Sequence, residues 1–187
     1  MKNHAFRIMF LIYIVEILEN KEQWAVNYRN GWLAHLQETG EIDWSLYKHP
    51  RNKQTHGTSG VDLSQSRLMF ITSAGAYLPK EQEPFDALNP YGDYTIRRIP
   101  HSTSFSDLAY AHDHYDHTAI DEDPQAALPL DYLQEMSENG RLASLSPSFL
   151  SFMGYQPDSA RVVDEMIPQI VQIAKEEDIQ AALLAPV

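Results

Sequence analysis

Two short, unbroken apolar runs limit what this chain can become. Leu68–Thr72 ends in Ser73-Ala74-Gly75, and Ile179–Val187 follows the acidic Glu176-Glu177-Asp178. Apolar runs of this length, without alternation, suit strands buried on both faces, and Gly75 permits the turn after the first. Tyr94–Ile99 alternates and stops at Pro100, predicting a second strand, and Leu108–Ala111 predicts a short third one. Helical stretches separate them. Pro129 is placed to open a helix with Leu130, Leu133 and Met136 on one face, and Gly140 ends it. Asp158 can cap another, with Val163, Ile167, Ile170 and Ala174 facing inward. Pro168 removes a backbone donor there, at roughly 3 kcal/mol in a regular helix, so a kink or break is expected. Strands alternating with helices predict an α/β fold with a mostly parallel sheet flanked by helices.

The first part of the chain reads differently. Trp24, Tyr28, Trp32 and Leu36 recur every fourth residue, with Leu33 beside them, and Gly40 is placed to end that helix. Upstream, the apolar run Ile8–Val15 is much shorter than the about 20 residues of a membrane helix. Lys2 and Arg7 have the look of a signal peptide, but Glu16, Glu19, Lys21 and Glu22 stand where a small-residue cleavage site belongs. A packed helix or strand is expected there, with a mis-called start near Glu22 as the alternative. Lys48–Gly60 is polar and rich in turn formers. The chain therefore divides into an N-terminal helical segment (1–47), a polar linker or loop (48–66) and an α/β domain (67–187).

Composition excludes several functions. The 26 acidic against 14 basic residues give a net charge of −12, which opposes nucleic-acid binding. There is no cysteine, hence no disulfide, no thiolate metal site and no thiol nucleophile. Neither G-x-G-x-x-G nor G-x-x-x-x-G-K-[ST] occurs, so a standard nucleotide loop is absent.

Chemistry concentrates in His112-Asp113-His114-Tyr115-Asp116-His117, directly after the short Leu108–Ala111 run. Imidazole titrates near neutrality, and neighbouring carboxylates fix its tautomer and raise its basicity. His112, His114 and His117, with Asp113 and Asp116 as orienting partners, are candidates for proton transfer or substrate positioning. The His112-x-His114-x-Asp116-His117 spacing also matches the H-x-H-x-D-H of metallo-β-lactamase-like hydrolases. No histidine follows His117 and no Gly-Gly follows the motif, so that reading lacks its other ligands. A metal-binding or partner-binding domain built on the cluster stays open, as does a solvated acidic loop.

A wider pattern covers residues 65 to 187. Arg67–Tyr77 is followed by Pro84-Phe85-Asp86, Gly92-Asp93 and Arg97-Arg98-Ile99-Pro100. The histidine cluster, Glu122-Asp123-Pro124 and Pro129-Leu130-Asp131 come next. Ser151-Phe152-Met153-Gly154-Tyr155-Gln156-Pro157 and Leu183-Leu184-Ala185-Pro186-Val187 complete the series. In this order the pieces resemble the selenoprotein B family of glycine, sarcosine, betaine and D-proline reductases, and within it the D-proline branch with its triple-histidine form. The resemblance implies reductive cleavage of a carbon–nitrogen bond in a small amine or amino acid. It implies a partner subunit whose pyruvoyl group activates the amine, and a dithiol or thioredoxin-type reductant. Tyr115 and Tyr155 are expected to contact the substrate, and a cytoplasmic location goes with the family.

In the family, a selenocysteine or cysteine, two residues and a cysteine follow the strand matching Ala181–Val187 and open a helix, whose free N–H groups favour an anionic selenolate or thiolate. The chain as written has no cysteine to serve as redox residue, and on this reading no metal or cofactor of its own is expected. The sheet is expected to be incomplete at its C-terminus, with the selenocysteine codon read as a stop immediately after Val187. The 187 residues alone are then expected to be inactive.

Overall fold

The computed structural model describes residues 18–52, 60–111 and 118–187. Its centre is strand β1 (Arg67–Thr72), with parallel neighbours on both sides. On one side lie β5 (Ser144–Leu145), against the start of β1, and β6 (Ser148–Ser151), against its end. On the other lies β7 (Ala181–Ala185), in register from Leu68↔Ala181 to Thr72↔Ala185. β3 (Arg97–Pro100) pairs antiparallel with β6, so the sheet is mixed but mostly parallel, as expected. β2 (Ala76–Tyr77) and β4 (Ala109–Tyr110) form a separate antiparallel ribbon.

Successive side chains of a strand point to opposite faces, and β1 uses both. Leu68 and Phe70 pack with Leu130 and Leu133 of helix α4 (Leu130–Glu138), together with Leu128 and Phe149. Met69 and Ile71 pack with Leu150 and with Ile170 and Ile173 of helix α6 (Ile167–Glu176). The result is a sheet between helical layers. Full burial of Met69 and Phe70 on opposite faces explains why this run lacks alternation.

The second and last strands differ from expectation. The alternating stretch Tyr94–Ile99 yields a strand only from Arg97. Upstream, the Asp93 carboxylate accepts from the Thr95 amide at 2.8 Å, and the Tyr94 hydroxyl accepts from the Asp158 amide at 2.7 Å. Side chain–backbone bonds of this kind compete with a ladder. β7 is parallel as expected but not buried: Leu184 is 65% exposed. Among the described residues its strand partner is β1 alone, so hydrophobicity fixed the strand but not its position at an edge.

The aromatic helix forms in three consecutive pieces: α1 (Lys21–Tyr28), a π-helical turn (Arg29–Leu33) holding Gly31, and α2 (Ala34–Thr39). Trp24, Tyr28, Trp32 and Leu36 are all buried, and Gly40 ends the helix at φ 73° with its N–H on Leu36 O. This segment packs on Ala160 and Val163, and the Tyr47 hydroxyl donates to Pro157 O at 2.9 Å. The later helix is built likewise: α5 (Ser159–Arg161), a π-helical turn (Val162–Met166), then α6 with Pro168 in its first turn. Asp158 caps it by accepting from the Ala160 and Arg161 amides. A wider turn ahead of proline absorbs the missing donor without a break. The turn also rotates the face: Met166 is the fully buried residue, while Val163, Ile167, Ile170 and Ala174 are half-buried.

Away from the carboxyl edge, Glu177 is buried, ion-paired with Arg98 and bonded by the Ser148 hydroxyl at 2.9 Å. No described helix is long and apolar enough to cross a membrane. The Ile8–Val15 run lies outside the described residues, as does 53–59 within the expected loop.

Candidate functional site

In parallel sheets ligands gather beyond the carboxyl ends of the strands, where the backbone turns away and leaves a crevice. Here that edge carries a cleft of about 490 Å³. β1 ends at Thr72, and the next residue, Ser73, ties down the end of the β7 segment. The Val187 amide donates to the Ser73 hydroxyl at 3.0 Å, and the Ser73 amide donates to Ala185 O at 3.3 Å. Val187 thereby forms one rim of the cleft.

Opposite Val187 the chain leaving β6 contributes Gly154 and Tyr155. The Tyr155 hydroxyl donates to Pro90 O at 3.0 Å, which joins this wall to a third one, the Ala87–Pro90 loop. That loop is held in shape by Asp93, whose carboxylate accepts from the Asp86 amide at 2.9 Å. Burial pushes the Asp93 carboxyl up, but hydrogen bonds from the Thr95 hydroxyl and the Asp86 and Thr95 amides outweigh it and hold the group below its usual range. Gly92 closes the loop at φ 82°, and a Cβ there would sit 2.9 Å from both Pro157 Cδ and Tyr155 O. Burial, and next the neighbouring Tyr47, raises the Tyr155 phenol, which stays protonated as a donor.

The fourth wall comes from the N-terminal segment. Ile42 and Trp44 reach the cleft from the stretch after Gly40. The Trp44 ring lies 5.5 Å from Trp32 and meets Tyr155 edge-on at 6.2 Å. Of the residues expected at the site, Tyr155 stands in this cleft. His112, His114, Tyr115, Asp116 and His117 lie outside the described residues. Their upstream anchor is described: the Ala111 amide donates to Gly75 O at 3.0 Å, and the Gly75 amide donates to Phe152 O at 3.0 Å. The residue before His112 is thus tied to the carboxyl end of β1. Among the described residues, no group of three or more His, Cys, Asp or Glu is arranged to hold a metal.

Sequence reasoning missed Ser73, Ile42, Trp44 and Leu88. Ser73 looked like an ordinary turn residue, and the others carry no periodic pattern. It also missed His101, beside a larger hollow of about 700 Å³ near the Ser146-Pro147 bulge between β5 and β6. The His101 Nε2 is buried with no hydrogen-bond partner among the described residues, and burial lowers the imidazole from 6.5 to about 4. That hollow is the larger of the two, but it lacks the carboxyl-edge position where the strand ends converge.

The glycine/sarcosine/betaine reductase selenoprotein B family matches residues 45–186. The chain belongs to this family. It is also 28% identical over 123 residues to the D-proline reductase subunit gamma of Acetoanaerobium sticklandii, an alignment covering 66% of this chain and 49% of that one. The chain spans about half the length of the curated relative it matches. No solved structure matches it. The selenoprotein B resemblance drawn from the ordered motifs, and its D-proline branch, are therefore the relationship that the comparisons find. Two walls of the cleft, Ala87–Pro90 and Gly154-Tyr155, lie within the family match; Val187 directly follows it, and Ile42 and Trp44 precede it.

Proposed function

We propose that this chain is part of a reductase subunit that cleaves a carbon–nitrogen bond of a small amine or amino acid, D-proline among them, at the carboxyl-edge cleft. The dithiol donor gives up an electron pair and its protons; a C–H and an N–H bond replace the carbon–nitrogen bond, and a disulfide remains. The observation that carries this reading is the family match over residues 45–186.

The family implies a pyruvoyl group on a partner subunit and a selenocysteine or cysteine next to Val187. The arrangement at the cleft is compatible with the latter, since Ser73 fixes the Val187 amide at the rim. Together these groups supply amine activation, the nucleophile and the redox couple. The chain's own 187 residues contain no cysteine, so turnover requires that redox group to be supplied. What the chain itself contributes is binding and proton handling. Tyr155, held protonated, and Tyr115 contact the substrate. His112, His114 and His117, oriented by Asp116, deliver the proton taken up by the leaving nitrogen. The Ala111–Gly75 bond supports that role, because it ties the residue before His112 to the turn that follows β1. Ile42 and Leu88 add apolar surface to the cleft wall. The reaction is assigned to the cytoplasm.

The test is expression of the gene with its native downstream sequence and the pyruvoyl partner, in cells labelled with radioactive selenium. Selenium in the product, with dithiol-dependent cleavage of D-proline, betaine or glycine that falls at least about a hundredfold in His114→Ala, is the expected result. A product with neither selenium nor cysteine after Val187, and no cleavage, overturns the reading.

A further inference from the structure

We propose that Ser73 is a positioning residue: its side chain diverts the backbone out of β7 at Val187 and fixes it on the rim of the cleft, where the redox group follows. This rests on the reading of the cleft as the site of carbon–nitrogen cleavage and deepens it by naming the residue that places the redox group.

A parallel ladder has a fixed pattern. One residue donates its amide to a carbonyl of the neighbouring strand and accepts, on its own carbonyl, from the amide two residues further along that strand. β7 keeps register with β1 from Leu68↔Ala181 to Thr72↔Ala185. Ser73 makes the first of the next two bonds, its amide donating to Ala185 O at 3.3 Å. The second is replaced. The Val187 amide donates to the Ser73 hydroxyl at 3.0 Å, where a continuing ladder would use the Ser73 carbonyl. Pro186, between these two bonded residues, has no N–H to contribute, so the hydroxyl is the point at which the backbone turns off the sheet.

The clasp is itself firmly seated. Ser73 is only 8% exposed. The Thr72 carbonyl before it accepts from the Phe152 amide at 3.1 Å, and the Thr72 hydroxyl accepts from the Ala74 amide at 3.2 Å. Gly75 turns at φ 67°, a left-handed backbone that suits glycine, and its amide donates to Phe152 O at 3.0 Å. Phe152 leads through Met153, which pairs with Ala74, to Gly154 and Tyr155 on the facing wall. A short run of backbone bonds therefore sets the Val187 rim against the Tyr155 wall. β7, by contrast, is an exposed edge, and an exposed strand end opens easily unless it is tied down. Misplacing a reacting group by about 1 Å can cost about a hundredfold in rate, so this clasp bears on turnover more than on stability.

The chain has no cysteine, so Val187→Cys carries a single nitroxide at the rim, and Leu88→Cys carries one on the Ala87–Pro90 loop as the control. Electron paramagnetic resonance is expected to show a restricted label at Val187→Cys that moves about fivefold faster when Ser73→Ala is added. Ser73→Thr, which keeps the acceptor, leaves it restricted, the Leu88→Cys label is unchanged throughout, and circular dichroism shows every variant folded. In the complete protein, made with its native downstream sequence and the pyruvoyl partner, Ser73→Ala lowers kcat for D-proline about tenfold with KM held within about twofold, and Ser73→Thr restores most of the loss. A Val187→Cys label unmoved by Ser73→Ala, equal loosening at Leu88→Cys, or an unchanged kcat overturns the proposal and leaves the reductase reading standing. Loosening confined to Val187→Cys, with no cleavage by the complete protein, supports the clasp and removes the reductase reading alone.

Discussion

His101 makes a quantitative test of the fold's polar interior. Its ring lies 5.7 Å from Phe149, edge to face, and its Nε2 is buried without a hydrogen-bond partner among the described residues. Burial disfavours the imidazolium and brings the group from 6.5 to about 4, with nearby Glu177 opposing the shift. The folded site therefore prefers neutral imidazole, and the unfolded chain takes up the proton first. Stability from this group is complete above about pH 6.5, falls as the pH drops toward about 4, and levels off below. Between pH 7 and pH 5 the linkage amounts to about 2 kcal/mol for a ring fully shut off from water. His101 is only partly enclosed, so screening reduces the expected loss to about 1 kcal/mol. Urea unfolding at pH 7, 6 and 5 reads it, with His101→Phe as the comparison, since the other histidines are common to both proteins. An equal pH slope in the variant would refute the reasoning.

Arg98→Ala strands the buried Glu177 carboxylate beside a single hydroxyl, that of Ser148; the expected cost is about 2–3 kcal/mol in urea unfolding, partly restored by adding Glu177→Gln. Gly92→Ala forces a side chain into a left-handed backbone against Pro157 and Tyr155; thermal melts should show a loss of about 2 kcal/mol. Ser73→Ala removes the acceptor of the Val187 amide, and hydrogen exchange at that amide should rise roughly fivefold while global stability drops by under about 1 kcal/mol.

What the sequence made legible followed from regular spacing. Leu68–Thr72 as a strand buried on both faces, the Trp24–Leu36 helix closed by Gly40, and the Asp158 cap each express a local rule that tertiary structure left intact. β6 was not legible: Ser148 and Ser151 flank only Phe149 and Leu150, and their burial depends on partners such as Glu177, which is distant in sequence. The exposure of β7 depends on what flanks it in the sheet, which hydrophobicity does not encode. Tyr155, singled out with its family motif, lines the cleft. Trp44 was not singled out, because a lone tryptophan after a helix reads as core until the structure shows its open face.

The aromatic ladder has a practical consequence. Trp24 stacks on Tyr28 at 5.2 Å, Tyr28 on Trp32 at 5.5 Å, and Trp32 adjoins Trp44 at 5.5 Å, so the chain's three indoles lie within one electronically coupled array. Light absorbed anywhere along it migrates between the rings before it is emitted. Trp44 is the indole that opens onto the cleft, and a guest settling there perturbs the emission of the whole array. The protein thus carries its own optical sensor for whatever occupies the carboxyl edge.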